Sequence, residues 1–276
     1  MRCVSSLLCL FACLVLSGCG NEQESVLRVA VTTSTRDSGL LDVLIPIFEA
    51  HNNARVDVVA VGSGAALKLG KSGDVDVVLV HAREAEDAFM SEGYGSRRED
   101  VMFNTFELLG PANDPAGVQG LEPVAALQAI ARHGDTFVSR GDQSGTHQRE
   151  LRLWADGGGR PDWQGYVESG LGMGKTLIMA DELQAYVLAD RGTVLRMAEK
   201  TQLQPLVEPT PAMHNPYGII LVNRQHHPKT RFELGNAFVD FMVGSEAQQL
   251  IGDFRLAGEP LFVPLKLAAK KAGSGE

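Results

Sequence analysis

Short apolar runs alternate with segments of helical period through most of this chain. Residues 26–31, 56–61 and 75–80 are apolar runs of strand length and read as buried β-strands. Between them Leu40, Leu41, Val43, Leu44 and Ile47 recur at helical spacing, and a second helix starts over residues 65–69. The order is βαβαβ, and two segments rich in hydroxyls and glycine, residues 32–39 and 62–64, follow strands and open helices. Further on, the pattern predicts a strand over 106–110, a helix over 123–133 and a short strand over 136–139. A helix over 148–154 follows, with Leu151 and Trp154 on one apolar face. Residues 181–190 read as helix, 217–223 as strand, and 232–254 as one or two terminal helices.

Two breaks interrupt the alternation. Pro111, Asn113, Asp114, Pro115 and Gly117 form the first, and Pro205, Pro209, Pro211 and Pro216 the second. They enclose one middle α/β unit, so the chain is expected to cross from one lobe into another and return. The boundaries expected are 26–112 with 213–270 for a discontinuous first lobe, 113–212 for the second, and a polar tail over 271–276.

The start of the chain changes the picture of where the protein works. Met1-Arg2 and the apolar run over 7–16, too short to span a bilayer comfortably, read as an export signal over 1–18. Leu16-Ser17-Gly18-Cys19 looks like a bacterial lipobox, in which Cys19 becomes the lipidated first residue and 19–25 a tether. The expected location is exported and lipid-anchored, on the periplasmic or cell-surface side. All four cysteines, Cys3, Cys9, Cys13 and Cys19, lie at or before that point, so the exported body holds neither a disulfide nor a Cys metal site. A net charge of −9 argues against a nucleic-acid partner. It does not argue against an anion, whose binding depends on local donors.

The candidate chemistry sits at strand ends. Arg140, Ser144 and Thr146, with Gly141 and Gly145 between them, stand at the entrance of the helix over 148–154, where free N–H groups and the helix dipole favour negative charge. Ser, Thr and Asp before a helix also serve as ordinary caps. Arg140 turns the reading towards an anion, because a guanidinium presents paired donors matched to oxyanion geometry. Thr33 and Ser34 in the first hydroxyl-rich segment, and Ser63 between Gly62 and Gly64, add donors at two more strand ends. A triad of Ser144, His147 and Asp142 is rejected, because residues within one turn cannot set a base between a nucleophile and an orienting acid. No enzyme is expected.

Residues 32–41, 73–82, 93–95, 139–147 and 215–218 together resemble the tungstate-binding component of bacterial ABC transporters, over nearly all of the mature chain. Val31, Ser63 and Thr105 depart from the usual residues of that family. The resemblance implies a type II periplasmic-binding-protein fold, two doubly wound α/β lobes with a ligand cleft between them. It places the oxyanion contacts at Thr33, Ser34, Ser63, Arg140, Ser144 and Thr146. It implies tungstate as ligand and a transporter permease as partner; a lipid anchor on Cys19, read from the lipobox, and a monomer are expected beside them. No cofactor is implied, and no metal except tungsten within its oxyanion.

The residues alone leave the anion open, since the spacing from Arg140 to Thr146 also resembles phosphate-binding proteins. Phosphate or sulfate carried by the same fold, and a ligand-sensing module, are the alternatives. Protons separate the first two readings. Tungstate and molybdate are bare dianions near neutral pH and call for donors only, whereas hydrogen phosphate offers a proton that a carboxylate can accept. The segment after the third strand, Leu79-Val80-His81-Ala82, holds no carboxylate. Asp142 is then expected to orient Arg140 or cap the helix, and His81 to be a lobe-contact residue or a donor near the site.

Overall fold

The computed structural model describes residues 25–142 and 144–266. The export signal, Cys19, its tether up to Glu24, Gln143 and the tail from residue 267 lie outside the described residues. The chain runs β1 (Ser25–Thr32), α1 (Thr33–Asp37), α2 (Leu40–Asn52), β2 (Ala54–Val61), α3 (Ser63–Ser72), β3 (Val77–Val80), α4 (Arg83–Ser91) and β4 (Gly95–Gly110). Then follow α5 (Pro123–His133), β5 (Phe137–Ser139), α6 (Gly145–Asp156), β6 (Tyr166–Glu168), α7 (Met173–Glu182), β7 (Tyr186–Asp190), α8 (Arg191–Met197) and β8 (Gln204–Pro205). The last elements are β9 (His214–Val222), α9 (Phe232–Val243), α10 (Ser245–Asp253), β10 (Arg255–Leu256), β11 (Glu259–Pro260) and β12 (Val263–Pro264).

The main sheet has the order β2-β1-β3-β9-β4-β7-β5-β6. β1 lies parallel to β2 and β3, and β5 lies parallel to β6 and β7. Both parallel groups are joined through β4, whose first part pairs antiparallel with β9 and whose last part pairs antiparallel with β7. The exchange falls between Thr105, opposite His214, and Phe106, opposite Asp190. Each half carries its own apolar clusters. Leu27, Val29, Leu44, Phe48 and Phe238 belong to one, with Phe48 and Phe238 edge to face at 4.9 Å. Phe106, Leu108, Phe137, Trp154 and Tyr186 belong to another.

Several expectations need correction. Residues 181–190 are not a helix: α7 ends at Glu182, the chain turns through Gln184 at φ 48°, and Tyr186–Asp190 is a strand between β4 and β5. Its apolar run is buried from both faces, where the 2.0 and 3.6 periods cannot be told apart. The strand expected over 106–110 is the last part of β4. Residues 32–39 are not all loop, since 33–37 form a short helix. Pro216 lies within β9 rather than in a break, and Ser25 starts β1 rather than ending a tether. Leu151 and Trp154 do not share a buried face: Trp154 and Leu153 are buried, whereas Leu151 is 37% exposed and lines the cleft described next.

Candidate functional site

A cleft of ≈ 1560 Å³ lies between the two halves of the sheet and takes in Thr33, Ser34, Ser63, Arg140, Ser144 and Thr146 together. All six residues singled out in the sequence therefore face one space. Each sits just past the C-terminal end of a parallel strand, which is where open α/β sheets present ligands. The volume exceeds what a tetrahedral oxyanion fills, so the anion's place is fixed by where donors converge rather than by the walls.

From the first half, β1 delivers the hydroxyl segment. Thr32 caps α1, its Oγ1 accepting from Thr35 N at 3.2 Å and lying 2.6 Å from Thr35 Oγ1 and 3.1 Å from Ser34 Oγ. Gly39 at φ 83° then lets α2 start directly after α1. β2 ends at Val61, and Gly62 then precedes α3 without a side-chain cap, so the first N–H groups of that ten-residue helix are left to the cleft with Ser63.

From the second half, β5 delivers Arg140. Gly141 holds φ 61°, and a Cβ there would stand 2.7 Å from Glu168 Cβ, so the turn after Arg140 admits only glycine. Asp142 performs the first of the two roles expected of it, accepting from Arg140 Nη2; its Oδ1 also accepts from Ser144 N at 3.1 Å, while the cap of α6 is Ser144 rather than Asp142. Ser144 caps α6, its Oγ accepting from His147 N at 3.3 Å. Thr146, 7% exposed, lies in the first turn of α6. Arg140 Nε is buried and has no hydrogen-bond partner among the described residues, a costly state for a charged donor unless an anion completes it.

The loop carrying Arg140 is braced from below by Glu150 on α6. Its carboxylate accepts from Ser139 Oγ at 2.6 Å, Tyr166 OH at 2.7 Å and Trp154 Nε1 at 3.3 Å, and Ser139 Oγ in turn accepts from Gly141 N at 3.2 Å. Burial pushes the Glu150 carboxyl above the usual carboxylate range, against those hydrogen bonds. This brace escaped the sequence reading, although a glutamate four residues after Thr146 on an otherwise buried helix face was the available signal.

Arg149 likewise escaped it. It donates to Ala212 O at 2.7 Å and His214 O at 2.8 Å and stacks over Phe106 at 5.6 Å, which ties α6 to the point where the chain changes halves. Arg152 of α6 and Glu84 of α4 close an exposed ion pair across the cleft mouth.

His81 occupies the place after β3. Its Nδ1 lies 3.1 Å from Asn215 Oδ1 and its Nε2 3.4 Å from Ser34 Oγ, and its ring packs on Tyr217 at 4.8 Å. Burial lowers its pKa, with Asp190 acting in the opposite direction; His214 is lowered too, by burial and then by Arg149. A histidine whose folded pKa lies below its unfolded 6.5 adds stability that is present above 6.5 and is lost as pH falls through the folded value. His81→Gln should therefore gain in Tm relative to the wild-type protein as pH drops below about 6.5, measured by thermal unfolding without ligand.

Asp37, Glu84, Asp156 and Asp190 are the carboxylates among the cleft's lining residues, and Asp190 acts on His81. Asp190, after β7, spends Oδ1 on Thr193 N at 2.9 Å and Oδ2 on Thr193 Oγ1 at 2.7 Å as the cap of α8. No group of three or more His, Cys, Asp and Glu able to hold a metal ion occurs among the described residues.

Two α/β halves sharing one long strand, with hydroxyls, helix N-termini and an arginine facing a common cleft, define a two-lobed solute-binding protein of the type II periplasmic-binding fold. A family model for the PBP superfamily domain matches residues 20–246. The tungstate-binding protein TupA of Peptoclostridium acidaminophilum is 43% identical over 267 residues, covering 91% of this chain and 93% of that one. The solved structure of TupA from Desulfovibrio alaskensis G20 is 42% identical with a TM-score of 0.82, covering 87% of this chain and 99% of the other. That of the tungstate ABC transporter from Geobacter sulfurreducens is 48% identical with a TM-score of 0.74, covering 83% and 98%. The chain belongs to the PBP superfamily and, within it, to the family of the tungstate-binding proteins named TupA.

Proposed function

We propose that this chain captures tungstate, and molybdate as its near-isostere, in the cleft and hands it to the permease of an ABC importer. Thr33, Ser34, Ser63, Arg140, Ser144 and Thr146 are its contacts, aided by the free N–H groups that open α3 and α6. The observation that carries this reading is the buried, unpartnered Nε of Arg140 among donors, at a site whose nearby carboxylates are already engaged by Arg140, Ser144 and Thr193. A bare oxyanion meets only donors there.

Residues 26–112 with 213–270 act as one lobe and 113–212 as the other, a division supported by the change of partner along β4. The protein needs no cofactor and performs no catalysis. It works as an exported monomer held to the membrane by lipid on Cys19, and among the described residues no helix is long and apolar enough to cross a bilayer.

A ligand of the native state stabilises it by mass action, by about 2.7 kcal/mol at a hundredfold excess over Kd, and so raises Tm. Tungstate should raise Tm far more than equal concentrations of sulfate or phosphate in a thermal-unfolding series. A larger shift with phosphate would overturn the donor-only reading of the site.

A further inference from the structure

The hydrogen bonds around His81 have a direction. Asn215 Nδ2 donates to Asn104 Oδ1 at 2.9 Å, so Asn215 Oδ1 is the acceptor facing His81, and the ring must carry its proton on Nδ1. Neutral His81 then offers a lone pair at Nε2, and Ser34 Oγ–H, 3.4 Å away, donates to it. Thr32 Oγ1–H can follow by donating to Ser34 Oγ at 3.1 Å. In that state the Ser34 proton points at His81 and its lone pairs are left for the cleft, the wrong polarity for a bare oxyanion. Turning the hydroxyl towards the anion would leave oxygen and Nε2 lone pairs facing each other. The ring cannot escape by changing tautomer, because the Nδ1 proton is held by Asn215.

We propose that His81 is a positioning residue that takes up one proton at Nε2 when the anion binds, so that Nε2–H donates to Ser34 Oγ and Ser34 Oγ–H donates to the anion. The inference rests on the assignment of Ser34 to the anion made above. The balance is simple: one buffer acid loses a proton, one N–H bond forms at Nε2, and no other covalent bond changes.

The groups facing His81 set the window. Asp190 at the end of β7 favours the imidazolium. The start of α6 lies close to the ring, since a Cβ on Gly145 would stand 3.7 Å from His81 Cε1, and its dipole opposes the imidazolium; Arg140, Arg83 and Arg196 line the same cleft. Tyr217 covers one face of the ring and stays neutral, its phenol pushed far up by burial. A dianion beside Ser34 tips this balance towards the charged ring. Burial, which lowers the pKa of the free protein, leaves the proton to be gained on binding.

The test is calorimetric titration of the full chain with sodium tungstate at about pH 7, in buffers of different ionisation enthalpy. The slope of apparent enthalpy against buffer enthalpy counts protons. The expected slope corresponds to uptake approaching one proton, with affinity rising up to about tenfold per pH unit lowered until both states are protonated. His81→Gln, whose amide always offers Ser34 a donor, should bind with no uptake and a flat pH profile. Asn215→Asp, which holds the ring protonated in advance, should move the window to higher pH and so remains informative if His81→Gln does not fold. Tungstate binding with zero uptake in the wild-type protein, or uptake unchanged in His81→Gln, overturns the inference and leaves the functional reading standing. A total lack of tungstate binding removes both.

Discussion

Arg140→Ala is expected to weaken tungstate binding more than any other single change in the cleft. Charge-assisted hydrogen bonds contribute about 1.5–3 kcal/mol each, so losing two of them from one guanidinium lowers affinity by at least ~100-fold. The guanidinium is already set in place by Asp142, and its Nε is buried without a partner, so little ordering remains to be done when the anion arrives. Arg140→Lys should recover only part of the loss, since an ammonium keeps the charge but not the paired donors. Titration calorimetry of both variants checks this, and wild-type affinity in Arg140→Ala would remove Arg140 from the site.

Glu150→Ala should be the most damaging substitution for the second half of the fold that does not touch the ligand. It strips the acceptor from Ser139 Oγ, Tyr166 OH and Trp154 Nε1 at once. A buried donor left without an acceptor costs about 1–3 kcal/mol, so three of them lower Tm by roughly 10 °C. Glu150→Gln keeps one acceptor oxygen and matches a carboxyl that burial drives towards its neutral form, so its loss should stay nearer about 1.5 kcal/mol. The Ser139 hydroxyl also holds Gly141 N, so affinity for tungstate should fall with stability in Glu150→Ala. Unfolding curves and titrations on the same preparations separate the two effects.

The site was legible where its chemistry is local. Arg140, Ser63 and Thr33 each stand within a residue or two of a strand end, and the run of donors before a helical period is visible without knowing the fold. The two-lobed plan was legible from the proline breaks, although the crossing strand β4 was not. Its sixteen residues include the charged stretch Arg97, Arg98 and Glu99, whose side chains are satisfied by Asp240, Glu86 and Lys266 from distant elements. β7 was misread for a different reason, because a strand buried on both faces carries no alternation to reveal it. The surroundings of His81 were illegible in principle, since Asn215 lies 134 residues away and meets it only because β3 and β9 are neighbours. Leu151 was misplaced because residues three apart lie about 60° from each other around a helix, enough to set Trp154 in the core and Leu151 at the cleft.

The central claim is that the cleft is built for an oxyanion without a proton. Calorimetric titration of the purified protein with tungstate, molybdate, sulfate and phosphate in one buffer tests it most directly. One saturable site is expected, filled by tungstate and molybdate far more tightly than by phosphate; sulfate, which also lacks a proton at neutral pH, separates the effect of size from that of protonation. Phosphate binding as tightly as tungstate would contradict it.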